Sequence, residues 1–101
     1  MKEFDNKVVL VTGGGTGIGK AIASEFVAAG ARVVIVGRRK DVLVQTSSEF
    51  GSSGAYITGD ISKSGEAKKF VSETIETFGS LDILINNAGT ASLCQIGRAH
   101  V

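Results

Sequence analysis

Five of the eight residues at positions 12–19 are glycine, and this stretch is the part of the chain whose composition could do chemistry. Glycine adopts backbone angles that side chains forbid, and it lets a diphosphate come close to the main chain. The stretch follows an apolar run at residues 8–11 and precedes an alanine-rich segment with helical spacing. Because the free N–H groups at the start of a helix attract an anion, this order predicts a dinucleotide-binding turn. The alternative is a glycine loop that only makes a tight turn.

The turn needs elements on both sides to position it, and the hydrophobic pattern predicts seven of them. Apolar runs predict four strands, at residues 7–11, 32–36, 55–58 and 82–86, and amphipathic stretches predict three helices, at residues 17–29, 39–50 and 63–78. In the first helix, Ile18, Ile22 and Phe26 recur at four-residue spacing, which predicts the face that packs against a sheet. Gly30 and Gly79 are predicted to end the first and third helices.

The strand segments are apolar almost throughout, and residues 33–36 and 83–85 lack the polar alternation of a half-exposed strand. Both faces of the sheet should therefore be covered by helices, as in a parallel sheet. We predict an α/β fold: a Rossmann-like, doubly wound parallel sheet with element order βαβαβαβ and strand order 3-2-1-4, truncated after the fourth strand. The third helix fits this arrangement through an apolar face made of Ala67, Phe70, Val71, Thr74, Ile75 and Phe78.

The composition limits the class of protein. A chain of 101 residues forms one domain at most, and 43% hydrophobic with 21% charged residues is typical of a globular one. The net charge is +1 and the basic cluster is confined to residues 38–40, so we expect no nucleic-acid or membrane partner. The only cysteine, Cys94, cannot form an internal disulfide, and residues 1–5 lack the apolar run of a signal peptide. A reduced, cytoplasmic setting is expected.

Three motifs occur together: Thr-Gly-x-x-x-Gly-x-Gly at residues 12–19, Asp60 after the third predicted strand, and Asn-Asn-Ala-Gly at residues 86–89. On these motifs the chain resembles the short-chain dehydrogenase/reductase family over about residues 5–93. The resemblance implies diphosphate contacts from Gly13, Gly17, Ile18 and Gly19. It implies adenine contacts from Asp60 and Ile61, and contacts on the ribose and nicotinamide side from Asn87, Ala88 and Gly89. Asn86 would brace the sheet.

Each of these motifs also has a purely local interpretation. Read alone, Asp60 would accept backbone hydrogen bonds in the turn at residues 59–62, and the paired asparagines would be turn formers. The occurrence of all three motifs in one chain favours the cofactor role. We expect strand and turn roles to coexist with cofactor contact.

The residues after the second predicted strand indicate which cofactor binds. An NAD site commonly has a carboxylate roughly 20 residues after the glycines, whereas an NADP site has an arginine there for the 2′-phosphate. Gly37 stands at the position of that carboxylate, and Arg38 and Arg39 follow it. We therefore predict NADP rather than NAD, with Arg38 favoured over Arg39. The alternative is that both arginines are solvated residues at a helix start.

The resemblance also implies a catalytic tyrosine, a lysine four residues later that favours its phenolate, and a serine that orients the substrate. The only tyrosine, Tyr56, lies in a predicted strand with Asp60 four residues later, so a packing role is expected. His100 has no evident acidic partner, and Cys94 is expected to be inert. We predict no catalytic residue and no metal site in this chain.

The last six residues can be back-translated as ATC GGA AGA GCA CAC GTC, which resembles a widely used sequencing adapter. We therefore predict a partial NAD(P)-binding domain at residues 1–95, followed by a non-native, adapter-derived tail at residues 96–101. The alternative is a genuine short tail. Truncation would leave the fourth strand as an exposed sheet edge. Family members use later helices for dimer or tetramer contacts, so the complete protein is expected to be a homo-oligomer, and the assembly of this chain stays open.

The sequence therefore predicts the cofactor-binding half of an NADP-dependent oxidoreductase. Its complete form would transfer a hydride between NADP(H) and a small-molecule substrate that carries a carbonyl or alcohol group, and this chain alone would bind NADP weakly without turnover. The alternative is a non-catalytic dinucleotide-binding or sensing module. A phosphotransferase is disfavoured, because Ala21 stands where a nucleoside triphosphate site needs a hydroxyl after Lys20.

Overall fold

The computed structural model describes residues 3–13, 15, 17–60, 63 and 65–87, together with the backbone of residues 92–95. In chain order the elements are β1 (Val8–Thr12), α1 (Gly17–Ala28), β2 (Arg32–Gly37), α2 (Lys40–Glu49), β3 (Gly54–Thr58), α3 (Glu66–Phe78), β4 (Ile83–Asn86) and β5 (Ser92–Gln95). A short 3-10 turn, Gly51–Ser53, joins α2 to β3. The predicted α/β class and the alternation of strands and helices are confirmed.

The strands form one sheet with the order β3-β2-β1-β4-β5. The first four strands are parallel, and Thr12 at the end of β1 lies level with Val36 on one side and Asn86 on the other. The predicted parallel order 3-2-1-4 is therefore confirmed. The predicted open edge at the fourth strand is wrong, because β5 pairs with β4 in the antiparallel direction. An antiparallel neighbour needs only a short connection, so the five residues between β4 and β5 are enough to join them.

Strands β1 and β2 supply the core on both faces of the sheet, because successive side chains along a strand point to opposite faces. Val9 and Ile35 belong to one cluster, which packs against α1 and α2. Leu10 and Val34 belong to a second cluster on the opposite face, together with Phe70 of α3. Two buried faces require apolar residues at consecutive positions, which accounts for the unbroken apolar runs in the sequence.

Helix α1 packs on the sheet through its small residues. Gly19 and Ala23 are buried, and Ile22 and Phe26, which are half-buried, pack against the same core cluster. Ile18, which was predicted to share this face, is 70% exposed. It lies in the first turn of α1, at the glycine-turn end of the helix, before the residues Ile22 and Phe26 that pack against the core.

Glycines set the ends of the helices. Gly79 has a φ of 86° and its N–H donates to the carbonyl of Ile75, which confirms the predicted end of α3. Gly30, with a φ of 99°, follows α1 in the same way. The predicted start of α3 at residue 63 is wrong, because Gly65 also adopts a left-handed φ of 86° and the helix begins after it. Ala67 is consequently exposed rather than part of the buried face.

Candidate dinucleotide-binding site

The described residues that the sequence assigns to the cofactor gather at the carboxyl ends of the parallel strands. The N–H of Gly13 donates to the carbonyl of Val36 at 2.7 Å, and the N–H of Gly59 donates to that of Gly37 at 2.8 Å. These bonds hold the segments leaving β1, β2 and β3 next to one another. Ligands of open α/β sheets bind at this edge. The predicted cofactor residues that follow the four parallel strands within two positions are Gly13, Arg38, Asp60 and Asn87.

The glycine turn has a backbone that other residues would strain. Gly13 has a φ of 69° and Gly17 a φ of 58°, both in the left-handed region. A Cβ on Gly17 would meet nothing within 4 Å, so glycine is required there by its backbone angle rather than by crowding. The first turn of α1 contains no acidic residue. Because the first N–H groups of a helix have no partner within the helix, this end of α1 suits an anion.

Gly19 is the residue where α1, the glycine turn and β4 meet. A Cβ placed on it would lie 2.7 Å from the carbonyl carbon of Gly13, closer still to the carbonyl oxygen, and 2.9 Å from Nδ2 of Asn87. No ordinary Cβ contact is that short. The structure thus brings three predicted site residues, Gly13, Gly19 and Asn87, into direct proximity.

Thr12 holds the ends of β1 and β4 together, although the sequence assigned it no role beyond its place in the motif. It is 1% exposed. Its hydroxyl donates to Oδ1 of Asn86 at 3.0 Å and accepts the N–H of Asn87 at 3.0 Å. The bond to Asn86 fits the expected bracing role of that residue. A hydroxyl at the end of a central strand is a signal that could have identified Thr12, because it can bridge two neighbouring strands.

Thr46 on α2 is a second residue that the sequence did not indicate. It is 2% exposed, and its hydroxyl donates to the carbonyl oxygen of Gly15 at 2.9 Å. A Cβ on Gly15 would lie 3.1 Å from Cγ1 of Val42 and 3.3 Å from Cδ2 of Leu43. The glycine turn therefore lies directly against α2. Thr46 and Gly15 are 31 positions apart in the sequence, so no local sequence pattern could have indicated this bond.

The two arginines after β2 have different surroundings. Arg39 is the residue before α2, and its guanidinium lies 3.6 Å from the carboxylate of Asp41, with both side chains about three-quarters exposed. Arg38 is also exposed, and it makes no ion pair with any residue that the structure describes. Of the two guanidinium groups, only that of Arg39 lies beside a carboxylate in the described part of the chain.

Asp60 lies half-buried just beyond β3. Its N–H donates to Oε1 of Glu66 at 3.2 Å, and its carbonyl accepts the N–H of Lys63 at 3.0 Å. The backbone of Asp60 is thus held in a turn at the same sheet edge. Ile61, Ala88 and Gly89, and residues 96–101 of the predicted tail, lie outside the described residues.

Tyr56 lies in β3 and packs against the core cluster under α1 and α2, which confirms its expected packing role. Within the described part of the chain, no three His, Cys, Asp or Glu side chains come close enough together to hold a metal ion. None of the described helices has the length and apolar character needed to cross a membrane.

Comparison with known proteins gives consistent results. The family model for short chain dehydrogenases matches residues 7–100. The 11-beta-hydroxysteroid dehydrogenase-like 2 of Arabidopsis thaliana is 48% identical over 93 residues, which are 85% of this chain and 30% of that protein. Glucose 1-dehydrogenase of Gluconobacter oxydans is 42% identical over 90 residues, 85% of this chain and 34% of that protein.

A crystal structure of a short chain dehydrogenase from Bacillus anthracis matches the fold with a TM-score of 0.76 at 40% identity, covering 82% of this chain and 35% of that one. The chain thus spans about a third of the length of the proteins it matches. The family match extends over nearly the whole chain, and these relatives are 42–48% identical to it. This chain, an α/β protein with a glycine turn at the carboxyl edge of its sheet, belongs to the short chain dehydrogenase family.

Proposed function

We propose that this chain supplies the NADP-binding half of an oxidoreductase whose complete form transfers a hydride between NADP(H) and a carbonyl or alcohol substrate. The observation that carries the proposal is the glycine turn at the start of α1. Its backbone is left-handed at Gly13 and Gly17, and no acidic residue lies in the first helical turn. A diphosphate fits this combination of free N–H groups, open space and positive helix dipole.

The residues after β3 and β4 would make the remaining contacts with the cofactor. When bound, the nicotinamide ring supplies the chemistry of hydride transfer. Asn87 would contact the cofactor on its ribose and nicotinamide side, and its backbone is fixed for that purpose by the bond to Thr12. Asp60, held in its turn by Glu66, would contact the adenine. A reduced, cytoplasmic setting and a homo-oligomeric complete protein belong to the same proposal.

The preference for NADP rests on the residues after β2. Gly37 leaves no carboxylate at the position where an NAD site binds the ribose 2′-OH. Arg38 is exposed and has no ion pair among the described residues, whereas Arg39 is already beside Asp41. The 2′-phosphate would therefore bind Arg38, through paired, charge-assisted hydrogen bonds.

Calorimetric titration of the chain with NADP⁺ and with NAD⁺ tests the proposal. A hydrogen bond to a charged group contributes about 1.5–3 kcal/mol, so NADP⁺ should bind at least about tenfold more tightly than NAD⁺. The variant Arg38→Gln should remove this difference by weakening NADP⁺ alone. Arg39→Gln is the matched control and should retain most of it. Tighter binding of NAD⁺ than of NADP⁺ by the unmodified chain would refute the assignment.

A further inference from the structure

We infer that Thr46 is a positioning residue for the cofactor: its hydroxyl holds the glycine turn in the conformation that receives the diphosphate. The inference rests on the proposed dinucleotide binding and extends it to α2. Neither the sequence motifs nor the family resemblance predicts a contact between this helix and the glycine turn. Thr46 would touch no atom of the cofactor. It would act through Gly15.

The contact is buried and specific. The Thr46 hydroxyl donates to the Gly15 carbonyl at 2.9 Å from a side chain that is only 2% exposed. Val42 and Leu43, one helical turn earlier on α2, occupy the space into which a side chain on the same glycine would point. α2 is also joined to α1 by the ion pair between Lys20 and Glu49, at 3.1 Å. The helix that supports the turn is therefore attached to the helix whose N-terminus follows it.

A single hydrogen bond matters here because the turn is made of glycine. A chain of glycines has more accessible backbone conformations than any other sequence, so few of them would present N–H groups to one anion. Since the peptide unit is planar, holding the carbonyl oxygen of Gly15 restricts the rotation of the unit to which that oxygen belongs. Thr46 thus reduces the ordering that the ligand must otherwise impose, and such preorganisation appears as affinity.

The competing explanation is that the bond only stabilises the packing of α2. The two explanations differ in which ligands they affect. A positioning role concerns the diphosphate alone, so it predicts weaker binding of NADP⁺ but not of adenosine 2′-monophosphate, which has the adenine and the 2′-phosphate and lacks the diphosphate. A purely structural role predicts equal effects on both ligands, or none.

The test compares dissociation constants of both ligands by NMR titration of the chain. Thr46→Val, which keeps the shape and removes the hydroxyl, should raise the Kd of NADP⁺ about five- to tenfold, the equivalent of one ordinary hydrogen bond. The Kd of adenosine 2′-monophosphate should stay within twofold. Thr46→Ser, which keeps the hydroxyl, should bind NADP⁺ within twofold of the unmodified chain.

Thr74→Val is the matched control, because Thr74 is also fully buried and its hydroxyl donates to the carbonyl of Phe70, within α3 and away from the turn. It should leave the ratio of the two dissociation constants unchanged. If Thr46→Val does not fold, the unmodified chain still decides the matter. If the Thr46 bond already orders the turn, the carbonyl ¹³C resonance of Gly15 should then change little on addition of NADP⁺, whereas a turn ordered only by the ligand predicts a large change.

An unchanged Kd of NADP⁺ in Thr46→Val, an equal loss for both ligands, or a large change of the Gly15 carbonyl resonance on addition of NADP⁺ would overturn the inference while leaving NADP binding intact. Failure of the unmodified chain to bind NADP⁺ would instead refute the proposed function, and the inference with it.

Discussion

Replacing Gly19 by alanine should destabilise the fold and the candidate site together. The added methyl group would lie 2.7 Å from the carbonyl carbon of Gly13 and 2.9 Å from Nδ2 of Asn87, where ordinary contacts begin at 3.4 Å. The first neighbour belongs to the backbone of the glycine turn and cannot rotate away. The carbonyl oxygen of Gly13 would lie closer still, so either α1 or the turn must move by more than 0.7 Å, the difference between 2.7 and 3.4 Å for the carbon alone.

The size of the effect follows from two opposing contributions. Overpacking of a well-packed position costs about 1–3 kcal/mol, and a clash with backbone belongs at the upper end of that range. Alanine is favoured over glycine by about 1 kcal/mol in a helix interior, which offsets part of the cost. The free energy of unfolding should consequently fall by about 2 kcal/mol. This is a large share of the roughly 5–15 kcal/mol by which a domain is stable.

Urea unfolding followed by circular dichroism measures this change. With a slope of about 1–3 kcal/mol per molar urea, the midpoint should fall by about 1 M. Gly37→Ala is the control, because its Cβ would meet only the flexible end of Leu43, at 3.3 Å, and Gly37 has no left-handed φ. Its midpoint should change little. An unchanged or higher midpoint for Gly19→Ala would show that the close approach of α1 to Gly13 does not exist in solution.

Two further substitutions separate the site from the rest of the sheet. Thr12→Val should lower the free energy of unfolding by about 1–2 kcal/mol in urea titrations, because the N–H of Asn87 loses its acceptor, and it should also weaken NADP⁺ binding in calorimetry. Retention of full affinity would contradict the role of the Thr12 bridge, and Thr12→Ser should preserve both properties. Asp82→Ala should lower the free energy of unfolding by about 1–3 kcal/mol, since Oδ2 of this 4% exposed carboxylate accepts the N–H of Val8 at 2.9 Å. Asp82 lies before β4, at the end of the sheet opposite the glycine turn. The affinity of the folded variant for NADP⁺ should therefore not change. A loss of affinity in the folded variant would show that Asp82 affects the site as well as the stability of the sheet.

The strands and their order were predictable because two-sided burial leaves a strong mark on the sequence. Residues 33–36 are all buried, and so are residues 8–11, which leaves no polar alternation to confuse the pattern. Parallel strands joined by helices then admit few arrangements, since the crossover connections have one hand. The position of the glycine turn at the carboxyl edge follows from that order.

Other features depend on distances that periodicity does not encode. Ile18 has the spacing of a buried residue, but α1 approaches the sheet along Gly19 and Ala23, where small side chains let the helix come close. The start of α3 depends on the left-handed backbone at Gly65. The fifth strand, Ser92–Gln95, is short and returns along β4 after a segment without apolar periodicity. The bond from Thr46 to Gly15 joins residues whose types alone suggest nothing.

The glycine turn is held on four sides, and this couples the affinity of the site to the stability of the fold. Gly13 is bonded to β2, packed against Gly19 of α1, and preceded by Thr12, which is bonded to β4, while Gly15 is bonded to α2. A ligand that binds only the folded chain stabilises it by about 2.7 kcal/mol at one hundred times its Kd. NADP⁺ should therefore raise the urea midpoint of the unmodified chain, and at the same concentration it should raise that of Gly19→Ala by less. An equal increase for both chains would mean that the diphosphate binds without using this turn.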